Sequence, residues 1–200
     1  MLGLPSATEV ERALPKEAFY RNLKMTAMLR RDFVDGVERI VLANSVKPSS
    51  CYLADGRRVH EVLVVRLEPK GAEAPRSVVR AVMDANPNRL VVVDAGAGRA
   101  FLSEAGRMIV SDDLHELVLV GEDLDEAWDS MLAQAAFGET DGTDVLTRID
   151  RREKARALAA EVAALDARAR KERQISRRND LFAQLKKKQA ELAELRKESQ

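Results

Sequence analysis

The chain has 200 residues, of which 46% are hydrophobic, 33% charged and 4% aromatic, and its formal net charge is zero. This length suits one compact domain plus an appendage, and a charged share above the usual quarter favours long exposed helices. A single cysteine, Cys51, excludes an internal disulfide and a cysteine metal cluster, and two histidines, His60 and His115, are too few for a histidine-rich site.

No apolar run approaches the roughly 20 residues that cross a bilayer, so no membrane association is expected. The opening MLGLPSATEVER lacks a basic segment followed by an apolar core, so no signal peptide is expected and the expected location is cytoplasmic.

Along the chain, Pro15 sits where a first helical turn tolerates a missing N–H, and PKEAFYRNL predicts a short helix ending near Leu23–Lys24. Thr26 is placed to cap a second, longer helix. Its apolar stripe, Leu29, Phe33, Val37, Ile40 and Val41, runs on to Asn44 at three- and four-residue spacing. After the breaker VKPSS, the pattern predicts a short strand Cys51–Ala54, an Asp55-Gly56 turn and a long strand Val59–Glu68. The apolar run Val62–Val65 makes this strand the centre of the expected sheet.

Lys70–Pro75 reads as a loop, and Ser77–Asn86 as a helix with Val78, Val79, Val82 and Met83 inward. RLVVVD, Arg89–Asp94, is a second buried strand, followed by a turn Ala95–Gly98 and strands at Arg99–Leu102 and Arg107–Val110. Leu114–Val120 is strand-like, and Asp123–Phe137 is a helix with Leu124, Trp128, Met131 and Leu132 on one side. The expected fold is α+β, a mixed and mostly antiparallel sheet covered by helices over residues 1–140.

Past the GETDGTD loop, with a linker at 141–147, the character changes. From Arg148 to Gln200 there are 16 Lys/Arg against 9 Asp/Glu, leaving 17 against 24 for the rest. Residues 148–200 form an expected helical arm of coiled-coil type. Leu158, Val162, Leu165 and Ala169 keep one heptad frame, and Leu181, Leu185, Leu192 and Leu195 keep another, shifted across KERQISRRND. That shift means a stutter in one long helix or a reversal between two antiparallel helices, with Ser176, Asn179 and Asp180 as candidate caps. The hairpin lets its halves bury each other's leucines and is favoured for that reason.

Four chemical possibilities follow from residue spacing. First, Asp55 precedes a strand ending in Glu68-Pro69-Lys70, and Glu38 lies upstream. This order resembles the PD-(D/E)xK nucleases, where two acids hold Mg²⁺ and a lysine polarises the attacking water. The Asp-Gly turn and the internal Pro69 give both ends of that motif ordinary structural reasons. Second, Gly96-Ala97-Gly98 begins a nucleotide-binding pattern, but Phe101 stands where the third glycine belongs, so a plain turn is expected. Third, Cys51 and His60 are close in sequence, although His60 is expected simply to alternate on a strand face. Fourth, Arg168, Arg170, Lys171, Arg173, Arg177 and Arg178, continued by Lys186–Lys188, could neutralise phosphates of DNA or RNA, or could be the solvated face of a helix. Neither a resident metal nor a cofactor is expected.

LPKEAFYRNL, LRRDFVDGVERI and VHEVLVVRLEPK resemble, in order and spacing, the front half of the bacterial family known as domain of unknown function 4391. The tail RKERQISRRNDLFAQLKKKQAELAEL resembles that family's charged C-terminal helix, with Gln174-Ile175 in place of a glutamine–aromatic pair and Phe182 at a position expected to be polar. The resemblance implies a setting beside DNA methyltransferases and helicases in restriction-like, antiphage gene clusters. It carries no activity with it. The expectation is therefore a non-enzymatic accessory subunit that docks on a helicase or methyltransferase, or on a second copy of itself, through Leu181, Leu185, Leu192 and Leu195. The alternative is a Mg-dependent nuclease using Asp55, Glu68 and Lys70.

Overall fold

A computed structural model of the chain describes residues 2–112, 114 and 116–197. After a short 3-10 turn at Ser6–Thr8 come strand β1 (Glu9–Ala13) and helices α1 (Lys16–Asn22) and α2 (Ala27–Gly36). Strands β2 (Val37–Val46) and β3 (Val62–Pro69) follow, then helix α3 (Arg76–Asp84). Strands β4 (Arg89–Asp94), β5 (Arg99–Glu104) and β6 (Arg107–Ser111) lead to α4 (Leu124–Phe137), α5 (Val145–Lys171) and α6 (Ile175–Lys197).

The six strands form one sheet in sequential order. All neighbouring pairs are antiparallel except β3 and β4, which are parallel and joined through α3. The fold is thus α+β with a mixed, mostly antiparallel sheet, and β3 lies in its interior. Alternation along β3 directs Leu63, Val65 and Leu67 into a core with Phe33 of α2 and Val78, Val79 and Val82 of α3. Val62 and Val64 point to the opposite face and are also buried. On the β5–β6 side of the sheet lies α4, with Trp128, Met131 and Leu132 fully buried.

Several sequence-based elements stand as expected: α1, the Thr26 cap (its side chain accepts the Leu29 N–H at 3.1 Å), α3, β4 and α4. Three do not.

The helix expected from Thr26 to Asn44 ends at Gly36, and Val37–Val46 is a strand. The pairing of β2 with β3 is irregular between Val37 and Arg39 and again between Leu42 and Asn44. The extra residue at the first irregularity brings Val37 and Ile40 to the same core face, so a bulged strand imitates helical spacing. At the junction, a Cβ on Gly36 would stand 2.3 Å from Cγ of Pro75, so only glycine fits there.

The hairpin expected over Cys51–Glu68 does not form. Ala54 makes an isolated parallel bridge to Asp123 instead. The Asp125 carboxylate accepts the N–H groups of Arg57, Arg58 and Val59 at 3.1, 3.0 and 2.8 Å, donors a hairpin would have used in its ladder.

The described residues of Leu114–Val120 join no strand. The Gln134 side chain takes both the N–H and the C=O of Val118, each at 2.9 Å, and Leu117 donates to Leu2. His115 lies outside the described residues.

The chain divides into two compact units, Met1–Thr143 and Asp144–Gln200. In the second, α5 and α6 pack against each other as a hairpin, with the break at Glu172–Gln174. Lys188 Nζ of α6 lies 3.2 Å from Glu161 of α5. Leu158, Leu185 and Leu192 are buried, and Ala169 completely so. Helix α6 begins at Ile175, so Ser176, Asn179 and Asp180 lie inside it and do not cap it. No described helix is long and apolar enough to cross a membrane.

Candidate functional site

Glu68 closes β3 among cations. Its carboxylate lies 3.8 Å from Arg39 Nη1 and 3.4 Å from Arg66 Nε. Arg66 in turn grips Glu11 through two hydrogen bonds of 2.9 Å each. That pairing, set first against the cost of burial, holds the Glu11 carboxyl below its ordinary range and the Arg66 guanidinium above its own. Glu11 has a φ of 45° where β1 loses register with β2. The strained residue is thus the one that brings a carboxylate across β2 to Arg66.

Lys70 lies elsewhere. It and Glu38 are among the charges acting on Lys16, whose ammonium donates to the Val37 carbonyl. Burial, then repulsion from Lys70, pushes the Lys16 pKa down.

Asp55 lies before the other end of β3, hydrogen-bonded at 2.9 Å to His60 Nδ1. The strand rise from Val62 to Glu68 spans roughly 20 Å, so Asp55 does not meet Glu68 and Lys70. Among the described residues no three of His, Cys, Asp and Glu are grouped to hold a metal ion. Cys51 and His60 have different partners, the Lys47 carbonyl for the thiol and Asp55 for the imidazole.

The glycine turn after β4 is closed by the protein itself. Asp94 is 1% exposed; one of its oxygens accepts Gly96 N–H at 3.0 Å and the other accepts Ala74 N–H at 2.8 Å. A carboxylate of the chain occupies the place a phosphate would need. Beside it, a cavity of about 250 Å³ is lined by Asn44, Val64, Arg66, Asp94, Gly98 and Leu114.

A charged cluster between β4, β5 and α4 is invisible in the sequence. Buried Glu104 accepts Trp128 Nε1 at 2.6 Å and pairs with Arg89 at 3.0 Å. Arg58 pairs with Asp129 at 2.8 Å and lies 3.6 Å from Asp125. Burial raises the Asp129 pKa. Burial also works against ionised Asp125, but its three backbone donors and the Arg58 charge outweigh this and leave its pKa lowered. Arg89 Nε and Asp129 Oδ1 are buried with no hydrogen-bond partner. The only sequence signal here is the cap pattern of DLDEAWD, which says nothing of partners far along the chain.

In the arm, Arg168, Arg170 and Lys171 end α5, Arg173 lies in the connection, and Arg177 and Arg178 fall in the first turn of α6. Folding into a hairpin gathers all six exposed side chains at one tip. The leucine seam faces inward: Leu185 and Leu192 are buried, and Leu181 and Leu195 half-buried. The outward surface of α5 carries Ala157, Ala160, Ala164 and Ala167, all exposed at helical spacing.

A first unit with a mixed sheet and a second made of a charged helical hairpin define the class, an α+β domain with a C-terminal helical arm. The family model described as a domain of unknown function (DUF4391) matches residues 2–192. The chain belongs to that family. No curated protein and no solved structure matches it.

Proposed function

We propose that the protein is an accessory subunit of a bacterial restriction-like or antiphage assembly, docking through its helical arm on a helicase or DNA methyltransferase. The observation that carries this reading is the surface of the arm. Its leucines close the hairpin, while the alanine stripe Ala157, Ala160, Ala164 and Ala167 stays exposed on α5. Small side chains let a partner helix approach closely, and the half-buried Leu181 and Leu195 add apolar surface at the seam's edge. The family resemblance supplies the setting.

The nuclease alternative needs Asp55, Glu68 and Lys70 around one Mg²⁺, and the length of β3 separates them. Millimolar Mg²⁺ is therefore expected to leave the melting temperature unchanged, since a ligand of the folded state would raise it. Tagged full-length protein recovered from its host is expected to bring down a helicase or methyltransferase. Ala160→Glu with Ala164→Glu releases that partner while helix content stays the same. Recovery of neither enzyme, or recovery that survives both substitutions, overturns the reading.

A further inference from the structure

We infer that the tip of the helical hairpin binds single-stranded nucleic acid, with Phe182 as a stacking platform between cations. In the first unit six arginines, Arg39, Arg58, Arg66, Arg80, Arg89 and Arg99, lie within ion-pair distance of a carboxylate. At the tip only Arg170 does, with Asp166 at 2.8 Å. Arg168, Lys171, Arg173, Arg177 and Arg178 have no acidic partner among the described residues. Of the nearby acids, Glu172 accepts the Gln174 N–H, and Asp180 makes no ion pair with them. The fold gathers these five charges and neutralises none of them, which is the arrangement a polyanion completes.

The second observation is apolar. Ile175 is 67% exposed and Phe182 45% exposed, on the same helix. Arg178, Phe182 and Lys186 follow at four-residue intervals, about 6 Å of rise each, so the ring lies between two cations on one stripe. Ile175 stands one turn further toward the tip. An exposed ring flanked by cations stacks on a base whose phosphates the cations hold, and a base offers its face only when unpaired. A duplex would use the charges and leave the ring idle. This inference stands independently of the docking partner proposed above.

The test is fluorescence anisotropy of the full-length protein with labelled oligothymidine, oligouridine and a mixed-sequence duplex, each of about 15 nucleotides, across a salt series. Single strands are expected to bind at least tenfold more tightly than the duplex, and the two single strands report any preference for DNA or RNA. Arg177→Glu with Arg178→Glu should weaken binding about tenfold or more and flatten the logarithmic salt slope by about 1.4, the share of two phosphates. Phe182→Ala should weaken it roughly tenfold at unchanged slope. Phe182→Trp should retain affinity and show indole emission quenched by the bound strand, which guards against a misfolded alanine variant. Lys24→Glu with Arg57→Glu, the same charge change on the first unit, should leave binding intact. Duplex affinity equal to that of single strands, no effect at Phe182, or equal loss from the control pair overturns the inference. So does equal retention of polyglutamate, which would point to an acidic protein partner.

Discussion

Asp125 holds the segment before β3 through several hydrogen bonds, and its removal gives a sharp test of that hold. It accepts three backbone N–H groups, from Arg57, Arg58 and Val59. The Arg57 and Arg58 donors are exposed, and water replaces the lost acceptor at little cost. The Val59 donor lies in a part-buried bond of 2.8 Å on a residue 1% exposed. One charge-assisted bond of that kind contributes about 1.5–3 kcal/mol. Asp125→Ala should therefore destabilise by about 2–3 kcal/mol, a fall of roughly 5–10 °C in melting temperature for a unit of this size. Urea titration followed through Trp128, the only tryptophan and fully buried, measures it directly. The pKa of Asp125 is lowered in the fold. Its contribution is therefore complete above the unfolded carboxylate pKa and fades as pH falls through the folded one. The difference between wild type and Asp125→Ala should accordingly shrink steadily on acidification below about pH 4. A loss under 0.5 kcal/mol at pH 7, or a loss that stays constant to pH 2, refutes the assignment.

Two further substitutions test the packing. Gly36→Ala drives a methyl group into the Pro75 ring and should cost about 1–3 kcal/mol; adding Pro75→Ala should recover a large part of that, read by the same urea titration. In the arm, Ala169 is fully buried near the C-terminal end of α5. Ala169→Leu should splay the tip and cost a similar amount, seen as reduced helicity in circular dichroism melts, whereas Ala164→Leu on the exposed face should leave the melt unchanged.

The sequence disclosed those parts of the fold whose signals are local. β4 is legible because RLVVVD is buried on both faces and bounded by Asn88 and by the turn at Ala95–Gly98. α4 is legible because Asp123 caps it in sequence as it does in space, accepting from Asp125 and Glu126, and Gly138 ends it at a φ of 74°. β2 reads as a helix in sequence because a bulge at Glu38 changes a two-residue period into three. Leu114–Val120 is strand-like in sequence although it alternates less clearly; Leu117 and Leu119 are buried, yet its described residues join no strand. A glutamine from α4 satisfies Val118, and no local pattern records a side chain 16 residues away.

The candidate site follows the same division. Glu68 and Lys70 are two residues apart and suggested a shared face. The structure surrounds Glu68 with Arg39 and Arg66, and sets Lys70 among the charges around Lys16. A carboxylate already balanced by two guanidinium groups gives up those pairings before it can hold a metal, and that argument is unavailable from spacing alone. The basic residues of the arm are the reverse case. Their number was plain in the sequence, but a run of charge along one helix is commonly a solvated face. It takes the reversal at Glu172–Gln174 to fold the run back on itself, so that Arg168 and Arg178, ten positions apart, crowd one end of the hairpin. Repulsion among unpaired cations opposes that turn. The leucine seam opposes that repulsion from away from the tip, where Leu158, Leu185 and Leu192 are buried between the two helices.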